Sequence, residues 1–145
     1  MHKMYKRGDM RRLWITAALV LGPHLAWAAD AGTAQVEKLV QTQQSWDGST
    51  LPAYAAGQPE VTVLRITIPP GATLDWHRHP VINVGYMLAG SLTVEKDNGQ
   101  TTTIKTGDVL PEVVSARHRG FNPGAEPAVI LVFYAGTPGG ALSEK

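Results

Sequence analysis

From residue 61 onward, apolar and polar residues alternate in short runs separated by turn residues. VTVLRITI (61–68) is β-branched and alternating, and Pro69-Pro70-Gly71 stops it. The same reading predicts strands at 73–79, ended by Pro80, and at 83–88, 91–95, 101–105, 109–114 and 117–121. AVILVFYA (128–135) is a continuous apolar run, which suits a buried central strand. Asp97-Asn98-Gly99 predicts a tight hairpin between the runs at 91–95 and 101–105. Asn-Gly fits the positive φ angles of a type I′ turn. Gly71, Gly90 and Gly107 stand at turns, where positive φ favours glycine. Short strands with turns at regular intervals and no clear amphipathic helix predict an all-β, antiparallel sandwich or barrel. Residues 34–43 fit either a strand or a short helix. Residues 45–59 are rich in turn formers and read as a loop whose Trp46, Leu51 and Tyr54 fold back over the core.

The first 28 residues read differently. Lys3, Lys6, Arg7, Arg11 and Arg12 precede a short apolar run at 13–26, and Ala26-Trp27-Ala28 follows as a small-x-small cleavage pattern. These are the parts of a secretory signal peptide, and the run is too short and too interrupted for a membrane span. Arg11-Arg12 gives a loose likeness to a twin-arginine export signal. The expectation is a signal peptide at 1–28 and one domain at 29–145, periplasmic or secreted, with no membrane segment after cleavage. Cleavage would remove five of the 13 Lys/Arg and one of the 12 Asp/Glu, leaving eight basic residues against eleven acidic. The basic balance of the whole chain then belongs to the leader, and nothing resembles a basic nucleic-acid footprint. With no cysteine, neither a disulfide nor a cysteine nucleophile is available.

The chemistry concentrates in GATLDWHRHPVINVGYMLAG (71–90). His77 and His79 are two apart, and on a strand such residues share a face. His118 is the one other histidine beyond residue 28. Three imidazoles suffice for a catalytic-type metal site that keeps open positions. By strand parity Asp75 joins the face of His77 and His79, while Arg78 and Arg119 point away from it. Trp76, Tyr86, Met87 and Phe133 read as core or pocket lining.

The spacing of these residues resembles the cupins, a family of small jelly-roll barrels. Gly71, His77, His79 and Gly90 stand as in the family's first motif (71–90), with Asn83 at its glutamate position. Gly107, His118 and Asn122 match the second motif (107–122), with Val113 and Ser115 where it has Pro and Gly. The resemblance implies a single-domain, RmlC-like double-stranded β-helix. It implies that His77, His79 and His118 bind one divalent metal ion (Fe, Mn, Zn, Ni or Cu), with Asn83 a weak fourth ligand. It also implies a homodimer. Loss of the family carboxylate leaves the ion its full double charge, which favours an anionic small-molecule ligand. Asp75, Glu95 and Glu112 are substitute carboxylates in principle.

The leading functional expectation is an exported three-histidine metalloenzyme of dioxygenase or oxidoreductase type, acting on a small organic acid or phenol. A non-catalytic periplasmic binder of a small molecule or metal is the alternative from another class. Metal-assisted isomerase or lyase chemistry is a further one; it needs a general base, for which Tyr86 and the acids above are the candidates.

Overall fold

In a computed structural model the structure describes residues 32–145. The expected signal peptide lies outside the described residues. Val36–Lys145 forms a single unit. Its strands are β1 (Glu60–Ile68), β2 (Ile82–Ala89), β3 (Ser91–Lys96), β4 (Thr101–Lys105), β5 (Val109–Pro111), β6 (His118–Phe121) and β7 (Ala128–Gly136). They form two antiparallel sheets, ordered β1-β7-β2-β5 and β4-β3-β6. One core joins them: Ile68, Met87, Leu110, Ile130 and Val132 from the larger sheet meet Leu92, Val94 and Ile104 from the smaller. This is the two-sheet jelly roll expected of a cupin.

Alternation along each strand explains which residues reach that core. On β7, Ile130, Val132 and Tyr134 point inward, and on β2 their Cα partners are Met87, Gly85 and Asn83. Gly85 has a steric reason: a Cβ there would lie 2.7 Å from Ile130 Cδ1. Gly90 turns β2 into β3 at φ +75°, where a Cβ would meet the Pro127 carbonyl oxygen at 2.8 Å. Gly71 and Gly107 also have positive φ.

Several expectations change. Residues 73–79 form no continuous strand. They make separate bridges instead: Thr73 with Phe121, His77 with His118, Arg78 with Glu144 and His79 with Val114. Two of these go to β6, but their registers differ by one residue, and the other two go to separate segments, so no regular ladder imposes period-two parity on the segment. The hairpin at Asp97-Asn98-Gly99 is present, but Gly99 alone takes positive φ, at +86°. Its N–H bonds to Lys96 O and Lys96 N to Gln100 O, both at 2.9 Å. That is a three-residue loop with a left-handed glycine rather than a type I′ turn. Residues 34–43 form neither helix nor strand. Trp46 packs on the core as expected, whereas Tyr54 is 80% exposed. Phe133 is 45% exposed because it alternates with the inward Val132 and Tyr134.

The segment around Trp46 is tied down by specific bonds. Trp46 N donates to Pro111 O at 2.9 Å, and Ser45 Oγ donates to Glu112 O at 2.8 Å. Lys96 Nζ meets Asp47 Oδ2 at 2.6 Å. Burial opposes the charge on Asp47, but bonds from Lys96 and Ser49 bring its pKa down to about 2.

Asn122 closes the barrel as a polar clamp. It is wholly buried; its Nδ2 donates to Ile68 O at 3.0 Å and Glu126 O at 2.8 Å, and its Oδ1 accepts from Gly124 N at 2.9 Å. Asn122→Ala strands two carbonyls and one N–H, so a loss of about 3 kcal/mol is expected. Urea unfolding checks this, and a change below about 1 kcal/mol contradicts the clamp.

Candidate metal centre

His77, His79 and His118 come together at one end of the cavity between the sheets. Their ligand-capable ring atoms lie within 4.8 Å of one another. The ring centroids are 4.5 to 5.0 Å apart. His118 opens β6 and pairs through its backbone with His77, with N–H···O bonds of 2.8 and 2.9 Å. His79 is held by Ser115 N, which donates to its carbonyl at 2.8 Å. Ser115 takes φ +61° at the position where the family motif has glycine.

Each ring is oriented by a main-chain oxygen. Nδ1 of His77 bonds to Asp75 O at 2.8 Å, that of His79 to Leu142 O at 2.8 Å, and that of His118 to Ala116 O at 2.9 Å. A carbonyl oxygen can only accept, so Nδ1 carries the proton in all three rings. The Nε2 lone pairs are left for another partner. His118 Nε2 is buried without any hydrogen bond. An orphaned imidazole nitrogen among two similar ones is a fit for a divalent cation. The donor set, three neutral nitrogens, suits zinc, copper, iron or nickel better than magnesium or calcium.

Electrostatics keep His79 and His118 neutral. Burial lowers the His79 pKa to about 4, against a smaller raising effect of the Leu142 carbonyl and with further lowering from the other two rings. Burial lowers His118 in the same way.

Among the substitute carboxylates, one reaches the cavity. Glu112, the residue after β5, is buried, and its Oε2 stands 3.7 Å from His118 Nε2. Burial raises its pKa to about 7; the Val113 N–H opposes this, and so does the Trp46 indole, which faces the carboxylate without completing a hydrogen bond. Asp75 is exposed and pairs with Lys145 at 2.6 Å, so its side chain leaves the face that strand parity assigned to it. It serves the site through its carbonyl. Glu95 is taken by Arg119, which binds Oε2 through Nε at 3.0 Å and Nη2 at 2.9 Å on the outer face. Arg119 also lies over Trp76, 4.5 Å from the ring centroid.

Asn83 is buried, but its Nδ2 donates to Val81 O at 3.2 Å and its Oδ1 has no partner. It does not line the cavity that holds the histidines. Tyr86 does not line it either; it pairs with Leu131 and Val109 on the outer face of the sheet. The catalytic role expected of Tyr86 finds no support in that position. The tyrosine of the cavity is Tyr134, 5.5 Å from the His79 ring between centroids. Its pKa is raised to about 12 by burial and then by the charge of Glu112. In the continuous apolar run at 128–135 no sequence signal separates the inward Tyr134 from the outward Phe133.

The cavity itself has a volume of about 50 Å³, and aliphatic side chains such as Ile66, Leu74 and Val132 form most of its wall. That is space for a few waters or one small molecule.

The profile of the family described as "Cupin domain" matches residues 64–134. With the two-sheet barrel, this match supports placing the chain in the cupin superfamily. A comparison with curated proteins found no match. Among solved structures, the DMSP lyase DddQ of Ruegeria pomeroyi aligns with TM-score 0.51 and 19% identity, over 58% of this chain and 42% of the lyase. The oxalate decarboxylase of Lactobacillus farciminis, in a formate complex, aligns with TM-score 0.52 and 23% identity, over 59% of this chain and 26% of the decarboxylase. An RmlC-like cupin from Shewanella frigidimarina aligns with TM-score 0.48 and 20% identity, over 55% of this chain and 69% of that one. The chain thus spans less than half of the lyase and about a quarter of the decarboxylase. At these identities the likeness to the lyase and the decarboxylase is one of fold.

Two outcomes are expected of the site. Deleting residues 142–145 removes the carbonyl that orients His79, and should weaken metal binding roughly 10- to 100-fold with the barrel still folded; calorimetric titration measures it, and unchanged affinity excludes the orienting role. The second concerns acid in the metal-free protein. The unfolded chain takes up the His79 proton near pH 6.5 and the native state only near 4, so stability falls as pH drops through that window. Glu112 acts oppositely: its native pKa of about 7 lies above the ordinary 4.5, so its contribution is lost as pH rises between those values. Glu112→Gln should therefore steepen the loss of stability in acid, by up to about 1.4 kcal/mol per pH unit. Denaturation midpoints from pH 4.5 to 6.5 give the slope, and equal slopes for both proteins rule the opposition out.

Proposed function

We propose that this protein is an exported mononuclear metalloenzyme in which His77, His79 and His118 hold one divalent ion. Its substrate is a small anionic, oxygen-bearing molecule, and its reaction is oxidation of dioxygenase type. The observation that carries this reading is the convergence of three buried or half-buried imidazoles whose Nδ1 protons are all spoken for by main-chain carbonyls. A bound redox-active ion supplies Lewis acidity toward a substrate oxygen and a point of access for dioxygen.

The chain's own residues supply the rest. Ile66, Leu74 and Val132 exclude water and favour a substrate with an apolar part. Tyr134, kept protonated across the neutral range, can donate a hydrogen bond but not take up a proton. On the solvent side of His77, a depression of about 320 Å³ is lined by Arg78, Ser115, Arg117 and Lys145. Arg78 and Lys145 are paired there with Glu144 and Asp75, so Arg117 is the basic group that supports an anionic ligand. Export is supported by the basic, apolar and Ala-x-Ala order of residues 1–28.

A metal-assisted lyase or isomerase is the second reading. One observation favours it: Glu112 is a carboxyl group inside the cavity that can hold a proton near neutral pH.

The test is to purify the protein from a secreting host, sequence its N-terminus and measure bound metal. Oxygen uptake is then followed with small keto acids and phenols. About one ion per chain, an N-terminus at Ala29 and oxygen uptake with some acid or phenol are expected, with metal lost in His77→Ala. A metal-free protein whose stability is indifferent to His77→Ala ends the metal reading. Metal without oxygen uptake, but with conversion of an acid, selects the lyase or isomerase. Metal with no turnover leaves a binding protein.

A further inference from the structure

We propose that Glu112 supplies to this metal site the carboxylate that the cupin pattern keeps at position 83, delivering it from the neighbouring strand. The inference rests on the three-histidine reading above.

The sheet sets the two positions side by side. Val84 pairs with Pro111, and Glu112 N donates to Asn83 O at 3.1 Å. Residues 83 and 112 are therefore lateral neighbours, and both are buried on the inner face. Their side chains take different courses. Asn83 turns its amide to the Val81 carbonyl on its own chain and stays off the cavity wall. Glu112 lines the cavity, with Oε2 buried and without a partner.

Distance allows a shared ion. Two donors on one cation at roughly 2.1 Å each are at most about 4.2 Å apart. Glu112 Oε2 and His118 Nε2 are 3.7 Å apart. Charge favours it too. A buried carboxylate is costly unless a cation accompanies it. Among the described residues Glu112 meets no lysine or arginine; the one ion-pair contact of its carboxylate is His118. The backbone that carries Glu112 is fixed by Ser45 Oγ and by Trp46 N on the residue before it. With the carboxylate bound, a divalent ion keeps one net positive charge, enough to draw an anionic substrate.

The experiment uses the full chain, stripped of metal and titrated with Co²⁺, read by calorimetry and by the visible spectrum of the ion. The variants are Glu112→Gln, Glu112→Leu, Glu112→Gln combined with Asn83→Glu, and His77→Ala. Loss of roughly tenfold or more in Co²⁺ affinity in both single Glu112 variants is expected, with an altered spectrum. Asn83→Glu should recover part of that loss, because it restores a carboxylate one strand away. Circular dichroism shows that each variant is folded, and the leucine variant serves if the glutamine variant is not. Wild-type affinity and spectrum in a folded Glu112 variant overturn the proposal while binding lost in His77→Ala leaves the three-histidine site standing. A wild-type protein that takes no Co²⁺ overturns both.

Discussion

Each of the three histidine rings gives its Nδ1 proton to a main-chain carbonyl, and all three carbonyls must be in place at once for the Nε2 atoms to converge. Two of these oxygens are local, two residues before the ring they hold. The third, Leu142 O, comes from the C-terminal segment, which is itself fixed by the paired backbones of Arg78 and Glu144. The site therefore depends on contacts that bring 75–79, 116–118 and 142–144 together. A metal ion would lock this arrangement further, since binding at converged ligands adds directly to folding stability.

Around that point the barrel sets a low-dielectric wall. Neutral imidazoles tolerate it, and the lowered pKa values of His79 and His118 express their burial. A carboxyl group does not tolerate it as an isolated anion, which is why Glu112 is pushed toward its protonated form. The same cavity thus contains ligands prepared to receive a cation and an acid prepared to lose its proton to one.

The chain's alternation made the barrel legible, and motif spacing made the three histidines legible. Strands β1 to β7 fall where short apolar runs and turn residues indicate. What parity could not supply were contacts outside regular ladders. Residues 73–79 meet β6 through isolated bridges with a slipped register, and Asp75 faces Lys145 and solvent instead of the three histidines. The sequence does not tell the two tyrosines apart, for a related reason. Tyr86 and Tyr134 both lie in apolar strands, and only the register of β2 against β7 shows that Tyr134 shares the inner face with Asn83 while Tyr86 lies opposite Leu131. The Leu142 carbonyl had no sequence signal, because a main-chain oxygen carries no residue identity.

Asn83 subtracts a charge from the histidine site on its own strand. Read across the sheet, position 83 has a lateral neighbour at 112, and the carboxylate stands there. Antiparallel pairing makes such exchanges sterically mild, because directly opposed residues point to the same side and lie only about 5 Å apart. A ligand can therefore move between strands while the histidines stay where they are. The cost falls on the supporting contacts: a carboxylate at 112 needs its own backbone anchors and a cover against water. Ser45 and Trp46 meet that need from a segment outside both cupin motifs. With Glu112 as a ligand, the stretch before β1 would be a support of the metal site.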